Sequence, residues 1–135
     1  MADTIQFELV TPEKRLVSKP VEMAVLPGSE GDLGILPGHA PVITSLRPGV
    51  IAIYEGDKIV DSIFAAGGFV EVRPDRLIVL AEQAQPVSSL NRSEAEQQVR
   101  DLAEDLADSK DDIERGHITT ALAVAEARLA AVSVA

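Results

Sequence analysis

Phe69-Val70-Glu71-Val72, then Arg73-Pro74-Asp75-Arg76, then Leu77-Ile78-Val79-Leu80-Ala81: two apolar, largely β-branched runs stand either side of four turn residues with proline second. Proline suits that place because its ring holds φ near the value a tight turn needs there. The stretch therefore predicts two antiparallel strands joined by a short turn. The pattern repeats upstream, where residues 50–54 and 58–64 flank Glu55-Gly56-Asp57, a short Gly-bearing hairpin loop. Residues 4–10 alternate, with Ile5, Phe7 and Leu9 on one side and Gln6 and Glu8 on the other, the period of a half-buried strand. Residues 21–26 form another apolar run, bounded by Pro20 and by Pro27-Gly28. Strands and turns at this spacing predict an antiparallel sandwich or barrel.

The composition changes sharply downstream. All eight prolines lie at or before Pro86, eight of nine glycines at or before Gly68, and all the aromatics (Phe7, Tyr54, Phe64, Phe69) are early. Beyond Pro86 the sequence is rich in Ala, Leu, Glu and Arg, strong helix formers. A boundary between Pro86 and Leu90 follows, giving a β domain over 1–87 and a helical hairpin over 88–135. In the first helix Ala95, Val99, Leu102, Ala103, Leu106 and Ala107 share a face, and Asn91 with Glu94 resembles a capping box. The second runs from about residue 112 to 132, with Ile118, Leu122, Ala125, Leu129 and Val132 as its seam and a start signal over 109–112. The short connection makes the pair antiparallel. The fold class is thus α+β, an N-terminal antiparallel β domain followed by a C-terminal two-helix hairpin. The Ala-rich seams are shallow, and Gly116 inside the second helix costs about 1 kcal/mol relative to Ala.

Charge narrows the function. The 135 residues carry a net charge of −10, with a pI near 4.5. Nucleic acid and anionic lipid are both recognised through Lys/Arg excess, so neither is an expected direct partner. The absence of cysteine removes disulfides, thiolate nucleophiles and Cys-zinc sites. No apolar run reaches the length of about 18 residues that a membrane span needs. The first residues lack the basic and apolar regions of a signal peptide, which leads to the expectation of a cytoplasmic protein.

The densest Gly/Pro stretch is Pro27-Gly28-Ser29-Glu30-Gly31-Asp32-Leu33-Gly34-Ile35-Leu36-Pro37-Gly38-His39-Ala40-Pro41. It lacks the Gly-Lys-Ser/Thr ending of a phosphate loop and carries Glu30 and Asp32, which repel phosphate. Its glycines are read as turn formers, in an exposed loop able to serve as a recognition surface. Gly67-Gly68 marks a bend or a close backbone approach. The two histidines, His39 and His117, have no zinc-ligand spacing, and there is no Gly-x-Ser-x-Gly elbow. The paired acids Glu104-Asp105 and Asp111-Asp112 fall in or beside the polar hairpin, where solvated charge is the default. No metal, cofactor or catalytic residue is expected, and a binding module is favoured over an enzyme.

The long Gly/Pro motif, together with Val10-Thr11-Pro12-Glu13-Lys14, Arg47-Pro48-Gly49-Val50, Gly67-Gly68-Phe69-Val70-Glu71-Val72-Arg73-Pro74 and Val79-Leu80-Ala81-Glu82, resembles the epsilon subunit family of the rotary F-type ATP synthase. Order, spacing and the two-helix tail all match. The resemblance implies a flattened β-sandwich followed by a helical hairpin, in a non-catalytic rotor subunit between the gamma subunit and the membrane c ring. Such a subunit helps couple proton flow to ATP synthesis on the cytoplasmic face of a bacterial inner membrane. The resemblance also implies the alpha/beta headpiece as a further partner, reached through the hairpin.

Carried over by the resemblance, Ser29, Glu30, Asp32 and His39 are the c-ring contacts, orienting the subunit against basic and polar ring loops. A structural role for these residues, solvating a tight turn, stands beside that reading. In ATP-binding relatives the first helix begins with an acid and, three residues on, an Arg; here Asn91 and Glu94 occupy those places. The substitution implies a degenerate ATP site. Few basic residues in the second helix imply weak or absent inhibition of hydrolysis by the tail. The alternative is a free-standing sandwich that binds a ligand or acts as an accessory module. The rotor reading requires an extended apolar surface on one sandwich face.

Overall fold

The computed structural model describes residues 3–134, the side chains of residues 133 and 134 excepted. The protein divides into two compact units, Met1–Pro86 and Val87–Ala135. The first holds β1 Ile5–Val10, β2 Arg15–Val21, β3 Met23–Gly28, β4 Gly31–Ile35, β5 Val42–Ser45, β6 Gly49–Glu55, β7 Lys58–Val72 and β8 Arg76–Pro86. They pair in the order β2-β1-β8-β7-β6-β3-β4, with β5 also on β7.

Two long strands make this path a sandwich. Residues 58–65 of β7 pair with β6, residues 69–72 pair with β5, and β8 accompanies both halves. Between the halves, Gly67 and Gly68 have φ of 75° and 104°. A Cβ on Gly68 would lie 1.7 Å from the Leu80 carbonyl oxygen, so only glycine lets the two backbones approach there. The bend anticipated at this pair is therefore a close crossing of β7 and β8. It directs Val70 and Val72 into the same core as Ile63 and Ala65 from the other half of the strand. Ile5, Phe7 and Leu9 of β1, Leu77 and Val79 of β8, and Leu26, Ile35, Ile51 and Ile53 from the facing strands complete that core.

Several local expectations change. Residues 21–26 are not one strand: Val21 ends β2, Glu22 turns, and Met23 begins β3. The runs at 58–64 and 69–72 are one strand, β7. β5 alternates in burial but not in the polarity of its residues, Val42-Ile43-Thr44-Ser45. β2 and β4 carry no clear alternation, because each has a single paired neighbour and presents much of its length to solvent. Pro20 is tolerated on β2 for that reason. β4 also converts half of the stretch read as an exposed loop into a hairpin with β3. Among the described residues, pairing is antiparallel apart from β1 with β8, which lie side by side in parallel. They are far apart in sequence, so no tight turn sets their relative direction. The Arg73-Pro74-Asp75-Arg76 turn closes as expected, with the Arg73 N–H donating to the Arg76 carbonyl at 2.8 Å. The β6–β7 loop is one residue shorter than read, because Glu55 pairs with Lys58.

The second unit opens with a 3-10 turn, Val87–Ser89, followed by α1 Arg92–Asp108 and α2 Asp112–Val134. Asn91 caps α1, its side-chain oxygen accepting the Glu94 N–H at 3.0 Å. Asp111 does the same for α2, accepting the Ile113 N–H at 3.1 Å. Arg115 ties the connection together, donating to the Leu106 carbonyl at 3.0 Å and the Ser109 carbonyl at 3.2 Å. Ala95, Val99, Leu102 and Leu106 turn inward, as do Ile118, Leu122, Ala125, Leu129 and Val132. Ala103 and Ala107 do not; both are exposed. Two helices share only a narrow stripe, and these alanines fall on its flank.

Replacing Gly68 by Ala should destabilise the protein by at least about 2 kcal/mol in chemical denaturation, since strained φ and a backbone clash act together. Gly38→Ala is the matched control, with φ of 84° but open space around it. It should cost about 1 kcal/mol, and equal losses in the two variants would show that the crossing is not tight.

Candidate interaction surfaces

Ser29 and Glu30 form the two-residue tip of the β3–β4 hairpin, between the paired Gly28 and Gly31. A Cβ on Gly28 would meet the Gly31 carbonyl oxygen at 2.7 Å, so the tight tip depends on glycine there. The tip is anchored from behind by main-chain bonds. Ser29 N–H donates to the Ser45 carbonyl at 2.9 Å, Arg47 N–H to Pro27 at 2.9 Å, and Leu46 N–H to Gly68 at 3.0 Å. Arg47 also reaches over the hairpin, donating to the Gly28 carbonyl at 2.6 Å and forming an ion pair with Asp32. Ser29, Glu30 and Asp32 are all exposed. Three of the four expected contact residues are thus brought together at one end of the sandwich.

His39 is not with them. The N–H of its neighbour Gly38 donates to the Pro74 carbonyl at 2.8 Å, beside the β7–β8 turn. Its own Nδ1–H is directed to the Ala40 carbonyl at 2.7 Å. Along β5, Val42 pairs with Val72 near that turn, while Ser45 meets Ser29 at the tip. Val42 and Ser45 are the two ends of β5, about 10 Å apart along extended backbone. A single loop in the sequence therefore serves two ends of the fold, because β4 leads away from the tip before His39 is reached.

A surface that no expected residue marked lies on the outer side of the β5–β7–β8–β1 layer. Phe69 pairs with Leu80, which in turn pairs with Val10, and Ile43 of β5 lies one step along the same face. Ile43 is 70% exposed, Phe69 58% and Leu80 53%. Ile78, half-buried, extends the strip between Glu8 and Glu71. One signal was available in the sequence: residues 77–81 are apolar at every position, where a strand with one solvated face would alternate. That continuity puts apolar side chains on the outward face as well as the inward one.

At the head of α1, Asn91 spends its side-chain oxygen on the cap, and Glu94 places a carboxylate in the first turn. That carboxylate complements the helix dipole but meets an incoming phosphate with like charge. Among the described residues no group of three or more acids or histidines is placed to hold a metal, and no helix is long and apolar enough to cross a membrane.

The comparisons with known proteins agree across both units. Residues 4–87 match the family model for the β-sandwich domain of the ATP synthase delta/epsilon chain. Residues 91–135 match that for the C-terminal domain of the ATP synthase epsilon chain. The protein is 51% identical to the ATP synthase epsilon chain of Paramagnetospirillum magneticum, over 98% of its own length and all of that relative. It is 48% identical to that of Rhodospirillum centenum, over 96% of its own length and 92% of the relative. Among solved structures it resembles a subunit in the OSCP/F1/c-ring assembly of Euglena gracilis mitochondrial ATP synthase. The TM-score there is 0.83 at 25% identity, covering 96% of this protein and 81% of that subunit. On its fold, on both domain matches and on these full-length relatives, the protein belongs to the ATP synthase epsilon family.

Proposed function

We propose that this protein links the gamma subunit to the c ring in the rotor of a proton-translocating ATP synthase, and that two separate surfaces of its sandwich divide the task. As an epsilon chain it is a non-catalytic stalk subunit of the enzyme complex. The observation that carries the reading is the strip Ile43, Phe69, Leu80. A monomer rarely leaves contiguous large apolar side chains uncovered, and a permanent subunit contact supplies the cover. The gamma subunit is assigned to that strip. The polar tip bearing Ser29, Glu30 and Asp32 is assigned to the c ring, whose loops it meets through charge and hydrogen bonding. His39, at the other end of β5, is left out of the ring contact. The protein sits at the membrane through these partners, on the cytoplasmic face of a bacterial inner membrane, with no span of its own among the described residues. The free-standing ligand-binding or accessory role is disfavoured because the sandwich interior is filled by its own side chains, Phe7, Leu26, Ile51 and Leu77 having no exposure.

The tail is proposed to bind no ATP at regulatory strength and to inhibit hydrolysis weakly or not at all. The supporting observations are the capping duty of Asn91 and the acid at Glu94. The only basic residues from Asp112 onward are Arg115 and Arg128, the first occupied at the hairpin connection. The placement of the functional boundary near residue 87, with rotor contacts before it and a regulatory tail after it, belongs to the same proposal.

Three measurements test this function. Phe69→Asp combined with Leu80→Asp should leave a folded sandwich, since both side chains are exposed, yet weaken association with gamma at least about tenfold. Unchanged stoichiometric co-purification with gamma would remove the strip from the interface. Calorimetric titration of the full-length protein with ATP should give no binding in the low-millimolar range or tighter. Deleting everything from Leu90 onward should leave the hydrolysis rate of the assembled enzyme within about twofold, and a several-fold rise would establish an inhibitory tail.

A further inference from the structure

Ser29 and Glu30 form the exposed tip of a hairpin whose second strand, β4, opens with the exposed Gly31 and Asp32 and is a sheet edge. Its sequence gives it little to hold it in place. Gly28, Gly31 and Gly34 contribute no side-chain packing, and glycine carries the largest backbone freedom. One side chain compensates. The main chain of Arg47 is fixed behind the hairpin by its bond to Pro27. Its guanidinium then donates from one nitrogen to the Gly28 carbonyl and pairs through another with Asp32. Gly28 is on the incoming strand and Asp32 on the outgoing one, so the guanidinium bridges the hairpin just behind its tip. The planar fork suits this double duty; an ammonium offers no such fixed geometry.

We propose that Arg47 is a positioning residue for the ring contact, and that the Arg47–Asp32 clasp holds the tip so that Glu30 is the carboxylate it presents. The proposal rests on the assignment of this tip to the c ring. Asp32 has its charge matched within the protein, whereas Glu30 and the Ser29 hydroxyl have no partner among the described residues. A basic or polar loop approaching the tip therefore meets Glu30 first, in an orientation set by Arg47. Both clasp side chains remain well exposed, 44% for Arg47 and 64% for Asp32, so the pair adds little to global stability. Its effect is confined to the order and orientation of the tip. This separates it from a role in which Asp32 itself touches the ring. Freeing Asp32 from Arg47 would then strengthen attachment to basic loops, while loss of the clasp weakens it.

The test uses Arg47→Gln, Asp32→Asn, the two combined, and Glu30→Gln. In the isolated full-length protein, amide exchange at Ser29, whose N–H bonds to Ser45, is expected to quicken about two- to fivefold in either clasp variant. The double variant should be no worse than the poorer single one, and the amides of β1 should not change. Glu30→Gln should leave exchange unaltered. In the assembled enzyme, all four variants should reduce retention of the headpiece on ring-containing membranes, with non-additive losses for the clasp pair. Unchanged Ser29 exchange in Arg47→Gln, or unchanged or improved retention, overturns the clasp. Retention unchanged in Glu30→Gln as well, with exchange altered as expected in the clasp variants, instead overturns the assignment of the tip to the ring.

Discussion

The sandwich depends on one backbone approach, that of Gly68 to the Leu80 carbonyl. There β7 and β8 cross from one layer to the other while remaining paired on both sides of Gly67. Without it, β7 would run straight, and its second half could not turn Val70 and Val72 onto the core that Ile63 and Ala65 already face. The crossing also sets the outer surface. By fixing Phe69 opposite Leu80, it makes their outward side chains neighbours, and β1 and β5 extend the apolar strip on either side. The core and the outer apolar strip are two faces of one constraint. Its local backing is the Gly68 carbonyl, which accepts the Leu46 N–H and so ties the crossing to the segment that carries Arg47.

From that arrangement follows a division between apolar and polar contact. A strip of Ile, Phe and Leu suits a contact that stays closed, because its stabilisation grows with area removed from water. A glycine-rich tip with one unmatched carboxylate suits orientation, because charge complementarity contributes more to register than to affinity. On the proposed assignment these are different demands on a rotor subunit, and the strip and the tip lie at different places in the fold. The net charge of −10 is compatible with a location at an anionic membrane only because contact is made through protein partners.

The hairpin shows the opposite economy. Its helices are held by caps at Asn91 and Asp111, by Arg115 across the connection, and by a narrow stripe that includes Ala95 and Ala125. Small residues bury little area, so this unit has limited stabilisation of its own. The residues at its head support the helix itself. Asn91 satisfies an orphan backbone donor, and Glu94 favours the helix dipole.

Strong local patterns made much of this visible in the sequence. The alternation in β1, the turn at Pro74, the seam of α2 and the Asn91 cap each arise from interactions within a few residues, where side-chain period and turn chemistry act directly. The edge strands β2, β4 and β5 were not legible, because a strand exposed on much of its length need not alternate. The parallel pairing of β1 with β8 was hidden for a different reason, since it joins residues about seventy apart. Of the four residues expected at the ring, Ser29, Glu30 and Asp32 are gathered by one hairpin, whereas β4 leads the chain away from it before His39. By itself the sequence determined the strand-rich first unit, the helical second unit, the acidic surface and the family. Only the tertiary structure decided which apolar residues face outward and which acid is already paired. A residue's neighbours across a sheet are set by long-range register, and local sequence does not encode that register.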